Sequence, residues 1–147
     1  MRINYMFFLV IVVCTVLSGC SKEELTETGL VAKEYLDEKG YKILSYEKQV
    51  ESYLLTESKL KQPPYDLQWS VAGNNPEPYF DKTVYVEKFI VKGHPLDNWE
   101  SNGVKSKGKV YVHVFVVDGA VVGGISYPDI PARHGMVGAG YSLDGES

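Results

Sequence analysis

The chain has 147 residues, a formal net charge of −4 and 44% hydrophobic side chains, which allows a folded core but not several domains. It carries no basic stripe, so nucleic acid is not a partner its charge would attract. Two cysteines, Cys14 and Cys20, are too few for a disulfide framework or a Cys-x-x-Cys zinc site.

The first element is an export signal. Arg2 and the α-amino group give a short positive start, and Met6 to Leu17 is apolar apart from Thr15. That run suits the apolar core of a signal peptide, whereas a membrane span needs roughly 20 apolar residues. It ends in Leu17-Ser18-Gly19-Cys20, which resembles the bacterial lipobox. The resemblance implies that residues 1–19 are removed and that the Cys20 thiol takes a diacylglycerol, with palmitate-type chains. The alternative is an ordinary secretory signal cut near Ser18. The position of the motif, the length of the apolar run and the abrupt polarity of Ser21-Lys22-Glu23-Glu24 favour the lipobox.

Removing nineteen of the 147 residues leaves 128, the size of one domain. Arg2 is the only charge removed, so fourteen basic side chains stand against nineteen acidic ones, a net charge of −5. No thiol remains once Cys20 is lipidated, so no cysteine nucleophile is available. The expected organisation is signal 1–19, tether 20–24 and one domain over 25–147.

Glu24 to Lys39 reads as an amphipathic helix. Leu25, Ala32 and Leu36 share a face, with Thr28 and Tyr35 beside them, and Gly40 suits the position just past the end. Tyr41 to Tyr46 reads as a strand. From Glu47 to Leu55 both periods fit, and the preferred reading is a strand alternating through Val50, Ser52 and Leu54. Thr56 then caps a short helix through Lys61, and Pro63-Pro64 ends it. Leu67 to Ala72 reads as a strand with Trp69 and Val71 on one face, and residues 73–78 as a loop. Thr83 to Lys92 is a strand, broken at Gly93-His94-Pro95, and polar irregular chain continues to Gly108.

Lys109 to Val117 alternates cleanly, and Asp118-Gly119 is a two-residue hairpin turn into a returning strand, Ala120 to Tyr127. Pairing Val117 with Ala120 places Val110, Val112, Val114 and Val116 on one face, opposite Val121, Ile125 and Tyr127. Tyr111, His113, Phe115 and Val122 share the other face. Gly123-Gly124 marks a bulge or a close backbone approach. A short last strand is expected at Tyr141-Ser142-Leu143. The order predicts an α+β fold: an antiparallel sheet of about four to six strands with one main N-terminal helix packed on it.

Candidate chemistry is sparse. His94, His113 and His134 have none of the HxH, HxxxH or HExxH spacings, so no metal ligand or cofactor is assigned, although Asp81, Asp97 and Asp129 could partner them if loops converge. No GxSxG elbow occurs, so no catalytic residue is assigned either. Gly138-Ala139-Gly140 neither follows a strand nor opens a helix, and reads as a turn or hinge. His94, Asp97 and Trp99 form a possible recognition loop, with the alternative that Leu96 and Trp99 tuck over the sheet edge.

The blocks EYLDEKGYKILSYE, YLLTESKL, PPYDLQW, KFIVKGHPLD and VVGGISYPD resemble small lipoproteins of Gram-positive, spore-forming bacteria that carry a domain of unknown function. The resemblance spans most of residues 25–145. It implies a membrane anchor and brings no activity. The expected function is a non-enzymatic binding or regulatory domain, lipid-anchored through Cys20 at the extracytoplasmic face and meeting a protein, peptide or envelope component. The rival expectations are a small envelope hydrolase or metal-dependent enzyme using His94, Asp97, His113 or His134, and a structural envelope protein.

Overall fold

Ala32 and Leu36 lie on one helical stripe, and burying that stripe against the sheet fixes the first element. The computed structural model describes residues 24–131 and 140–147. The expected signal, the lipobox with Cys20, the tether through residue 23, His134 and the Gly138-Ala139 pair lie outside the described residues.

Helix α1 spans Glu27–Glu38, starting later than expected because Thr26 caps it: its Oγ1 accepts the Gly29 N–H at 2.8 Å. It closes as a Schellman motif. Gly40, at φ +79°, donates to the Asp37 carbonyl, and Tyr41 donates to that of Leu36. Ala32 and Leu36 are fully buried.

The strands are β1 (Lys42–Leu54), β2 (Thr83–Lys92), β3 (Glu100–Ser101), β4 (Val104–Lys105), β5 (Val110–Val117) and β6 (Ala120–Pro128). Strands β1-β2-β5-β6 form one antiparallel sheet in that order, so the fold is α+β. β3 and β4 make a small separate hairpin inside the stretch expected to be irregular.

Three local readings are corrected. First, β1 runs without interruption, and its thirteen residues pair with the ten of β2 through three register slips. The slips shift the alternation, so Val50 and Leu54 are about half exposed and Tyr53 and Leu55 are buried instead. Thr56 does hold the next turn, accepting the Lys59 N–H at 3.1 Å, but that turn is a single 3-10 segment, Lys59–Lys61.

Second, Leu67 to Ser70 is not a strand. Helix α2 covers Tyr65–Ser70, begun by the Gln68 N–H bonding back to the Pro64 carbonyl. Trp69 and Val71 are both buried because the chain becomes extended at Val71, so an i, i+2 pair reaches the core without strand pairing.

Third, β6 carries a bulge at Val122. Val116 faces Val121, but Phe115 faces Gly123, so every later residue changes face. Ile125 and Tyr127 therefore join Phe115, not Val112 and Val114.

The sheet is covered on both sides. α1 packs Ala32 and Leu36 onto Phe89, Val91, Val112 and Val114. On the other face Leu55 and Trp69 pack onto Val84, Val86, Phe115 and Ile125. Strand β5 is buried from both directions, which explains its nearly unbroken apolar sequence.

The outer edge of β6 is closed by two devices. The Asn74 side chain acts as a strand substitute: Oδ1 accepts the Gly124 N–H at 2.9 Å, and Nδ2 donates to the Gly124 carbonyl at 3.1 Å. Two positions on, Ser126 and Tyr141 exchange both backbone hydrogen bonds, and this one bridge replaces the expected last strand. The glycines allow it. A Cβ at Gly123 would lie 2.3 Å from Asn74 Oδ1, and one at Gly124 would lie 2.6 Å from Leu143 Cδ2.

Candidate functional site

A cleft of about 890 Å³ opens at the N-terminal end of α1, between that helix, β1, β2 and the β5–β6 turn. Thr26, Thr28, Thr83 and Tyr85 bring hydroxyls to it, and Glu27 and Asp81 bring carboxylates. At its far rim Lys82 pairs with Asp118 of the hairpin turn at 2.6 Å.

Behind this cleft lies Glu87, fully buried in the middle of β2. Among the described residues its carboxylate is met by hydroxyls: Thr26 Oγ1 and Thr28 Oγ1 donate to Oε1 at 3.0 and 2.5 Å, and Tyr46 donates to Oε2 at 2.7 Å. No ion pair with Glu87 occurs among the described residues. The N-terminus of α1 supplies partial positive charge in its place, because Thr26 and Thr28 stand in the first turn. Burial raises the Tyr46 hydroxyl above the usual tyrosine range, and the neighbouring Glu87 adds to the rise, so Tyr46 keeps its proton and donates. Gly29 gives Tyr46 its room: a Cβ there would stand 2.9 Å from the Tyr46 oxygen. Sequence reasoning missed Glu87. The signal was present, since Glu87 falls between Tyr85 and Phe89 on a face that Val91 continues.

The expected recognition loop turns inward. His94 is buried, and both ring nitrogens are engaged. Nδ1 accepts the Leu96 N–H at 3.1 Å, so Nε2 carries the proton and donates to the Leu143 carbonyl at 3.1 Å. Tyr41 donates to that same carbonyl at 3.0 Å. Burial holds His94 below the ordinary histidine range. Asp97 accepts the Gly93 N–H at 2.7 Å, and half-buried Trp99 donates to the Tyr141 hydroxyl at 2.6 Å. Leu96 is buried.

His113 lies on the opposite face of the sheet from α1, edge-on to Tyr127. Burial, with Lys88 adding to it, pushes its pKa down to about 4. His94 and His113 share no partner, and Asp129 is met by Lys107 and Lys109 at 3.6 and 3.5 Å. Among the described residues no three His, Cys, Asp or Glu side chains gather as a metal site. None of their helices is long and apolar enough to cross a membrane. Comparison with family models, curated proteins and solved structures finds no match to this chain.

Proposed function

We propose that this chain is a lipid-anchored, extracytoplasmic binding domain, held by diacylglycerol on Cys20 and engaging a protein, peptide or envelope component through the cleft at the start of α1. The observation that carries the anchor is the run Met6 to Leu17 followed by Leu17-Ser18-Gly19-Cys20, six residues before the cap of the first helix. The cleft supports binding by its volume, which lies within the range of small-ligand and peptide pockets, and by its mixed hydroxyl and carboxylate lining. His94 supports binding over catalysis, because both its nitrogens are spent on the backbone.

The anchor is tested by Cys20→Ser. The variant is expected to incorporate no radiolabelled palmitate and to leave the membrane fraction; continued palmitate incorporation would sink the reading. The cleft is tested by Thr83→Arg on an exposed rim position. A partner cross-linked to the native chain should be lost while the unfolding midpoint is kept, and equal cross-linking would place the binding surface elsewhere.

A further inference from the structure

We infer that the groove between α1 and β1 docks onto the membrane itself, so that the fold lies against the bilayer and does not stand off on its tether. The inference rests on the lipid anchor proposed above. The groove has a volume of about 560 Å³ and is lined by Leu25, Ile43, Leu44, Tyr46 and Phe89, with Lys33 and Glu47 at its polar side. Leu44 is the extra residue of the first register slip in β1 and is 44% exposed. Exposed leucines standing singly are ordinary; a half-exposed leucine continuous with a groove lined by Leu25 and Ile43 is a contiguous apolar surface.

The chain leading into the groove selects the occupant. Leu25 lies at the groove and only five positions after Cys20. An extended chain covers at most about 3.5 Å per residue, so Leu25 stays within about 17 Å of the lipidated residue. The polar headgroup layer on each side of a bilayer is about 5–7 Å thick. The tether is therefore short enough to keep the groove near that layer and to let it make contact. Lys33 fits the boundary, able to keep its ammonium in water while its stem lies on apolar surface.

The test uses the full lipidated chain in vesicles of phosphatidylethanolamine and phosphatidylglycerol. Cys14 leaves with the signal and Cys20 is blocked by lipid, so Leu44→Cys or Leu67→Cys takes a nitroxide label at one site. Leu67 is the control: it is 51% exposed, on α2, which packs on the other face of the sheet. Accessibility to a water-soluble nickel chelate should fall several-fold at position 44 on vesicles, with oxygen accessibility rising, and neither should change at position 67. Equal aqueous accessibility at both positions, on a chain whose mass shows lipid on Cys20, overturns the docking and leaves the anchor intact. Spin–spin broadening at position 44 without vesicles overturns it in favour of a second copy in the groove. A mass without diacylglycerol removes the anchor reading, and the docking with it.

Discussion

Glu87 is the residue whose chemistry least resembles its surroundings. A buried carboxylate is tolerated only when its acceptors are filled, and three hydroxyls plus a helix N-terminus fill them here. Two of those hydroxyls come from the cap and the first turn of α1 and the third from β1, so one side chain of the central sheet ties both neighbours to it. Glu87→Gln keeps the shape but turns an amide NH₂ toward hydroxyl donors. It should cost about 2 kcal/mol in urea unfolding. Glu87→Ala should cost about 3 kcal/mol, because the hydroxyls lose their acceptor and a void remains. A Glu87→Gln variant as stable as the native chain would remove Glu87 from this role.

At the scale of elements, α1 shows how contact overrides propensity. Gly within a helix normally loses about 1 kcal/mol relative to Ala, so Gly29→Ala would stabilise an isolated helix. In this fold the added methyl would meet the Tyr46 hydroxyl and the Thr26 cap at 2.9 and 3.0 Å. Gly29→Ala is therefore expected to destabilise by about 1 kcal/mol, with a lower thermal midpoint. A rise in the midpoint would contradict the close packing. Sequence reading fared best where local rules act alone. β2, β5 and the turn between β5 and β6 were legible because period-2 alternation and Asp118-Gly119 determine them without help. β1 and β6 were legible as strands but not in phase, because each bulge moves all later residues to the other face and alternation carries no sign of where it occurs. α2 was hidden because Trp69 and Val71 reach the core by a change of conformation between them. The cleft was not legible at all, since Thr26, Gln49, Asp81 and Asp118 meet only through the sheet order.

For the whole molecule, burial on both faces of the sheet sets how stability responds to acid. His113 sits on one side and His94 on the other, and both are held neutral. Above about pH 6.5 neither the folded nor the unfolded chain protonates His113, and its contribution is flat. Below that the unfolded chain takes up the proton first, so stability falls as pH drops from 6.5 to about 4, then levels off. His113 alone accounts for up to about 3 kcal/mol of that loss. His94 acts in the same direction, with a structural consequence. A proton on Nδ1 would face the Leu96 N–H and loosen the Pro95–Asn98 turn, while Nε2 keeps its bond to the Leu143 carbonyl. Chemical denaturation of the native chain and of His113→Leu across this window should give diverging curves, the variant losing less. Parallel curves would show that His113 is not held below the ordinary histidine range.

The two sheet edges have a consequence for the anchored state proposed above. Chains confined to a membrane plane meet one another far more often than chains free in three dimensions, and an open strand edge under such crowding invites runaway side-by-side pairing. One edge of this sheet is occupied by the Asn74 amide and the Tyr141 backbone, and the other is bent by three bulges. If the proposed lipid anchor holds this chain on a bilayer, many copies could share a patch of it without knitting into a filament.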